Sequence, residues 1–415
     1  MEKTKFGVMI IAAEKAEAKT TNDTPGVFGP KALWPILDKP AIGYLLKTIL
    51  ECDPNGVSVV VERENSSLRE YLGTFPSVTP IAHASPEYHK WLGGFSNVLA
   101  LEGVLPFLRA ETVRSFMRGH IDSGAECSSL GDVPHALIFN TARIIKINGN
   151  AQCLSGLASM LTTDGLKIQK AALDYQETSI FNQADLAKTS ARMRDTIVLQ
   201  WMEKGVRVMD PHAVWIGPDA KLEPGVSLMP GAQIWGNSFV GEGSVVGPYC
   251  ILRNATLGKG VKLVSNVIVE DSKLDDYAQA GPFAYIRESS VLKERSFAGK
   301  FVEIKKTTIG IGSKVPHLSY MGDAFLGEDV NIGAGSITCN YDGASKHQTK
   351  IGDRCFVGCD TMMVAPVTLS NNSITAAGST ITTDVPPGAL AVARARQKNL
   401  EGWAEKRRKK QTESQ

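Results

Sequence analysis

The sequence predicts an α/β domain followed by a parallel β-helix, and three observations carry that prediction. Ile216, Leu222, Leu228, Ile234, Val240, Val246 and Leu252 recur in strict steps of six. Neither the helix period of 3.6 nor the strand period of 2 produces this spacing. A hexapeptide period is that of a parallel β-helix, in which three short strands close one triangular coil. In the same register, Ala220, Val226, Ala232, Ser238, Ser244 and Cys250 are apolar or small, so a large residue fills the prism and a small one its corner. Upstream of the repeat, strand-like and helix-like segments alternate, which is the pattern of an open α/β sheet.

In chain order, residues 5–13 read as a buried first strand (FGVMIIAA), followed by the turn-rich insert TTNDTPGVFGP. PKALWPILDKPAIGYLLKTILE gives a turn and an amphipathic helix, Val57 to Val61 a second strand and Asn97 to Leu101 a third. Residues 119–132 are too polar to assign, and residues 135–147 read as another strand region. Residues 182–204 form an amphipathic helix with Leu186, Ser190, Met193, Ile197 and Trp201 on one stripe. Asn182 is suited to cap its start and Gly205 its end. The expected domains are therefore 1–181 (α/β), 182–205 (linker helix), 206–395 (β-helix) and 396–415 (basic tail). The repeat slips by one at Leu257, then resumes as Leu257, Leu263 and Val269, and later as Ile351, Val357 and Met363. Ten coils of about 18 residues, stacked at roughly 4.8 Å, make a prism roughly 50 Å long. The tail, with KRRKK and few apolar residues, is expected to be mobile.

Composition bounds the function. The chain has 415 residues, 43% hydrophobic and 21% charged, with a net charge of +2, which suits a globular protein and gives no field for nucleic acid. Seven dispersed cysteines point to reduced thiols; Cys355 and Cys359 lack the neighbouring histidines of a metal site. The apolar run at the N-terminus is too short for a signal peptide, and no stretch reaches the roughly 20 apolar residues of a membrane span. A cytoplasmic location without membrane or nucleic-acid partners is expected. Within the repeat, residues 301–343 (FVEIKKTTIGIGSKVPHLSYMGDAFLGEDVNIGAGSITCNYDG) bring in His317, Tyr320, Asn331, Asn340 and Tyr341. Stacking coils does not need these residues, so they are read as the site.

Residues 301–343, together with FVGCDTMMVAPV and the closing AVARARQ, closely resemble the acetyltransferase half of the GlmU family. That family joins glucosamine-1-phosphate acetyltransferase to N-acetylglucosamine-1-phosphate uridyltransferase. The resemblance runs nearly unbroken from about Gly205 to Trp403. It implies a left-handed solenoid, against the usual crossover hand, and a homotrimer with sites between subunits. It also implies acetyl transfer from acetyl-CoA, the co-substrate, to the 2-amino group of glucosamine 1-phosphate, in the synthesis of UDP-N-acetylglucosamine and cell-wall precursors, with no metal.

The resemblance assigns roles residue by residue. His317 is the implied general base, since histidine titrates near neutrality, and Glu303 in FVEIK is expected to orient it or bind the sugar. Arg287 and Lys305 are the implied phosphate clamps, a planar fork and a point charge. Tyr320 and Asn331 match sugar contacts. Ala334, Asn340, Tyr341, Cys359, Ala377 and Arg394 match acetyl-CoA positions, with an amide or N–H group near Asn340 suited to an oxyanion. Cys359 stands where the family usually has serine, a stronger donor.

The first 181 residues resemble the family's uridyltransferase domain in shortened form. The family's Gly-rich LAAGxGTRM loop lets backbone N–H groups and an arginine meet nucleotide phosphates. Here Glu14 and Ala16 replace its glycines and Ala18 its arginine. The family's metal-binding aspartate follows a glycine; here Val104 follows Gly103, and a hard cation needs oxygen. An Asn-Asn pair at the second metal position appears as Phe181 and Asn182, while Lys31 is kept. Mg²⁺ is expected only if uridyl transfer survives, and the sequence reads as a fold remnant without that activity. The alternatives are an enzyme retaining both activities and a non-enzymatic scaffold, the latter disfavoured by the intact His317, Lys305 and Arg287.

Overall fold

A computed structural model of the chain describes residues 5–12, 30–62, 65–82, 85–131, 135–146, 153–172, 180 and 182–413. Two compact units divide it, Met1–Arg194 and Asp195–Gln415, and the boundary falls inside the helix Gln183–Glu203. That helix is where the apolar stripe predicts it. The Asn182 Oδ1 accepts the N–H of Asp185 at 3.0 Å, and Gly205 closes the end at φ +91°, a conformation glycine adopts without strain.

The first unit is built on a seven-stranded sheet. Phe6–Ile11 lies between Gly56–Val61 and Asn97–Glu102, parallel to both. Val78–Ala82 extends the parallel edge, and Ala136–Asn140 adds antiparallel beside Asn97–Glu102. Successive side chains of a strand face opposite sides. Val8 and Ile10 therefore pack with Ile42, Leu45 and Ile49 of the helix Ala41–Leu50. Met9 and Ile11 pack on the other side with Leu92, Leu154 and Leu157. A strand covered on both faces has no polar side to show, which is why FGVMII is unbroken apolar.

Two segments differ from the sequence expectation. Residues 119–132, unassigned above, end the helix Ala110–Ser123 and supply the strand Cys127–Leu130. The strand region expected over residues 135–147 is a strand only to Asn140; Thr141–Lys146 is helical. The insert before Pro30, with Glu14, Ala16 and Ala18, and also Phe181, lies outside the described residues.

The second unit is a prism of three parallel sheets with 11, 10 and 9 strands. Leu222 pairs with Val240 and Ile234 with Leu252, a coil of 18 residues. Val240 then pairs with Leu257, the one-residue slip in the repeat. Ile216, Ile234, Val240, Val246, Leu252 and Leu257 are fully buried, each contributing about 1.5–3 kcal/mol. The corner residues do more than fill space. Ser313 donates to the Gly327 carbonyl at 2.6 Å and accepts the Val330 N–H, 17 residues on, at 2.9 Å; Ser244 and Ser290 repeat the arrangement, while Ser238 accepts the Ala255 N–H of the next coil and donates to the Trp235 carbonyl of its own. A buried N–H left without a partner costs free energy, so a hydroxyl here staples one coil to the next.

At another corner, Tyr249, Asn266, Phe283, Phe301 and Leu318 adopt left-handed φ values between +48° and +56°. Each donates its N–H to the coil before it, which offsets the strain of roughly 1–2 kcal/mol per residue. Their side chains point outward, and the Phe283 and Phe301 rings stack at 5.1 Å. The tail is a correction: Trp403–Glu413, expected to be mobile, is an exposed helix. WAEKRRKKQTE is almost wholly strong helix formers, and their propensity forms it without an apolar face. Among the described residues no helix is long and apolar enough to cross a membrane.

Ser313→Ala should lower stability by about 1–3 kcal/mol by stranding the Val330 N–H, read as a drop in thermal midpoint. A change within error would remove the coil-stapling role of these hydroxyls.

Candidate functional site

The coil register collects the expected site residues into two rows. Lys314, Asn331, Phe356 and Ile374 are paired in succession on one sheet. Three residues beyond each of them stand His317, Ala334, Cys359 and Ala377, so these four share one corner of four successive coils. The Asp360 N–H donates to the Ala334 carbonyl and the Gly378 N–H to that of Cys359, both at 2.8 Å, which locks the row. Arg394 follows the last strand, Leu390–Ala391, beside Gly378. At roughly 4.8 Å per coil, His317 and Ala377 are about 14 Å apart. His317, Cys359, Ala377 and Arg394 are exposed and Ala334 half-buried.

The second row lies on the adjoining sheet. Tyr285 pairs with Glu303 and Glu303 with Tyr320, while Arg287 pairs with Lys305 and Lys305 with Gly322. Arg287 and Lys305 thus stand side by side in neighbouring coils. Glu303 Oε1 accepts from Arg287 Nε at 2.9 Å and Nη2 at 2.7 Å. Its partner is the guanidinium, not His317. Arg287 also lies over the Tyr285 ring, 5.4 Å from its centroid, and Tyr285 donates its hydroxyl to Glu270 at 2.7 Å. Glu288 reaches both cations: it pairs with Arg287 Nη1 and stands 3.4 Å from Lys305 Nζ.

A polar knot lies beside the clamp. The buried Asn340 amide donates to Asp323 Oδ2 at 2.6 Å and to the Tyr320 hydroxyl at 3.5 Å, so its N–H groups are directed inward. Gly322 has no side chain because the Tyr320 phenol occupies the space a Cβ would take. From Asn340 the chain leaves the prism in a short loop and returns at Thr349–Ile351. Asp342 folds the loop by accepting the Ala344 and Ser345 N–H groups and His347 Nε2 at 2.7 Å. These hydrogen bonds, Ser345 foremost, hold its carboxyl well below the usual carboxylate range. The loop brings Lys346 to Lys305: hydrogen bonding with Lys305, and the charge of Lys305, push Lys346 below the ordinary lysine value. The same bond raises Lys305. Tyr341 is exposed, its hydroxyl donating to the Gly343 carbonyl at 2.6 Å.

Glu288, Asp323, Lys346 and His347 escape sequence reasoning. A signal was available for two of them: with coils of 17 and 18 residues, Glu288, Lys306, Asp323 and Asn340 fall in one row directly after Arg287, Lys305, Gly322 and Cys339.

Relatives match along both units. The bifunctional protein GlmU of Exiguobacterium sibiricum is 33% identical over 423 residues, covering 88% of this chain and 94% of that one. That of Caldanaerobacter subterraneus is 34% identical over 434 residues, covering 92% and 95%.

The chain belongs to the GlmU family.

The GlmU protein of Clostridium perfringens, 34% identical over 442 residues with 92% and 96% covered, agrees. No protein-family model matches the chain. Among solved structures, 4-diphosphocytidyl-2C-methyl-D-erythritol synthase from Anaerococcus prevotii aligns with a TM-score of 0.35 at 10% identity, covering 46% of this chain and 98% of that one. LpxA from Acinetobacter baumannii aligns with a TM-score of 0.32 at 16% identity, covering 49% and 77%. The GlmU-family chain is an enzyme, an acetyltransferase, with a nucleotidyltransferase-like first unit and a left-handed β-helix of hexapeptide repeats as its second.

The resemblance implies that Tyr320 contacts the sugar; on that expectation Gly322→Ala, by displacing the Tyr320 ring, should weaken acceptor binding by roughly tenfold while the prism melts within a few degrees of wild type. Unchanged acceptor affinity would separate Tyr320 from the site.

Proposed function

We propose that this GlmU-family chain acetylates the 2-amino group of glucosamine 1-phosphate with acetyl-CoA, and that its uridyltransferase half is inactive. The observation that carries the reading is the row of His317, Ala334, Cys359 and Ala377, with Arg394 at its end. One exposed corner then offers a base and, in line below it, small residues beside which an extended pantetheine arm fits, with a guanidinium for a CoA phosphate.

The reaction needs three things. Arg287 and Lys305 hold the sugar phosphate, with Tyr320 and Asn331 on the sugar. His317, as the neutral imidazole, takes a proton from the ammonium so that the amine lone pair can attack the thioester carbon. The C–N bond forms, the carbonyl π pair moves to oxygen, and its return expels the CoA thiolate. The thiolate takes the second proton, the one the amide nitrogen must shed, and His317 returns the first to solvent. The Asn340 amide is directed at Asp323 and Tyr320, so Asn340 positions the tyrosine, and a backbone N–H is the better donor for the oxyanion. Cys359 offers a weaker hydrogen bond to the co-substrate than a serine would; direct attack by the amine needs no thiol nucleophile.

The site is proposed to lie between subunits of a homotrimer, and the enzyme to work in the cytoplasm on small molecules. The stacked Phe283 and Phe301, with Leu318 64% exposed next to His317, form an apolar ridge suited to a second copy.

Uridyl transfer needs a metal between phosphates, and no group of residues that could hold one occurs among the described residues. Val104, half-buried at the end of the strand Asn97–Glu102, is a hydrocarbon where a carboxylate is required. The Asn182 carboxamide oxygen is engaged as a helix cap. In the sequence, Glu14 and Ala18 add repulsion and remove a cation where triphosphate would lie. No step is therefore assigned to a metal.

His317→Ala should keep the fold and lower acetyl transfer by about 10²–10⁴; more than a tenth of the wild-type rate remaining would exclude His317 as the base. With UTP, Mg²⁺ and N-acetylglucosamine 1-phosphate, the wild-type chain should release no pyrophosphate above background. Steady release, or tight Mg²⁺-dependent binding of UTP by calorimetry, would restore the second activity.

A further inference from the structure

The most informative side chain in the clamp is one the reaction does not call for. Glu288 touches both cations assigned to the acceptor's phosphate, Arg287 and, at 3.4 Å, Lys305. Glu303 already holds the Nε and Nη2 edge of Arg287, and Glu288 takes Nη1. A carboxylate thus bridges the two cations of the clamp.

We propose that Glu288 is a specificity-determining residue, an internal anion that bridges the two cations of the clamp and that the phosphate of the acceptor displaces. The inference rests on the reading of Arg287 and Lys305 as a phosphate clamp. The Lys305 side chain is only 9% exposed and that of Arg287 25%. An ammonium so far out of water needs partners, and beside the Lys346 side chain Glu288 is its anionic one. Glu288 itself is 50% exposed and sits at a corner with φ +52°, followed by Ser289 at +61°. Its side chain can therefore swing into water at little cost, whereas Glu303 is fixed in the sheet by its pairing with Tyr285 and Tyr320.

Two consequences follow for acceptor choice. A phosphate dianion brings more charge and three acceptor oxygens, so it can take both cations from a monoanionic carboxylate. An amino sugar without an anionic group has nothing to exchange for Glu288 and finds the clamp neutralised. Selectivity for a phosphorylated acceptor is therefore gained at the expense of affinity for it.

The test is Glu288→Gln, which keeps size and removes charge, with Glu288→Ala as a second variant in case the amide finds a new partner. Inorganic phosphate and glucosamine 1-phosphate are titrated by calorimetry into the full-length wild type and variants at low and high salt. Each variant should bind phosphate about 3- to 10-fold more tightly than wild type, the sum of two ion pairs of modest strength. The difference should shrink at high salt and shrink again in an Arg287→Ala background, where only the pair with Lys305 remains. KM for glucosamine 1-phosphate should fall by a similar factor while KM for acetyl-CoA stays the same. Equal or weaker phosphate binding in both variants, or an advantage undiminished by Arg287→Ala, overturns the proposal. Absence of acetyl transfer in wild type and variants alike would instead refute the acetyltransferase reading of the acceptor, and the phosphate titration would still decide the role of Glu288.

Discussion

Each coil of the prism hydrogen-bonds to the coils before and after it, and every other feature of the second unit is subordinate to that pairing. It forces coils of near-constant length, so residues 17 or 18 apart become neighbours whatever their chemistry. The apolar steps of six are one result, because only interior positions recur at that interval. The corners are another: a chain that turns this tightly strands N–H groups, and Ser238, Ser244, Ser290 and Ser313 satisfy them with hydroxyls. The functional rows are a third. His317, Ala334, Cys359 and Ala377 line up because the coils do, and the clamp exists because Arg287 and Lys305 are paired strand residues.

This explains which parts were legible in the sequence. An interior that repeats every six residues can be read with no knowledge of partners, and the slip at Leu257 was visible as a five-residue step before it became the pairing of Val240 with Leu257. The linker helix was legible because its stripe and its Asn182 cap are local signals. The helix Ala110–Ser123 and the strand Cys127–Leu130 were not. The helix buries only Val113, Phe116 and His120, and the strand is half serine, so neither shows a clear period. The tail failed for the opposite reason: it has no apolar face, and its helix follows from propensity alone. At the site, the family motifs named the residues, but partners are set by neighbouring coils. Glu303 was expected to orient the histidine or bind the sugar, and its carboxylate engages Arg287. Glu288, Asp323 and Lys346 carry no motif and matter only through what lies one coil away.

The electrostatics of the site reflect the same economy of placement. Three lysines, Lys305, Lys306 and Lys346, and Arg287 crowd one corner against Glu288, Glu303 and Asp323. Lys346 is present only because the loop after Asn340 folds on Asp342, whose carboxylate is stabilised by two N–H groups and His347. The loop thus contributes a cation to a site whose remaining charges come from strands (Arg287, Glu303, Lys305) and from the corners that follow them (Glu288, Lys306, Asp323). In the first unit, the sheet has a two-sided core, and Val104 follows the end of one of its strands. The core needs only the apolar faces of the strands, so residues beyond a strand end are free to differ without cost to the fold.

Placement of the row along the stack has a mechanical corollary. In a one-dimensional array, stability is the sum of nearest-neighbour terms, and a terminal member is held from one side only. Arg394 stands beyond the last strand, Leu390–Ala391, whereas His317 has several coils on either side of it. The end of the corner assigned to the nucleotide of CoA is therefore the part that frays most readily, and the chemical end is the part that frays least. Amide exchange should be fast near residue 390 and slow near residue 317. A rigid anvil with a pliant lip would let a long co-substrate enter and leave without disturbing the geometry at the atom that reacts.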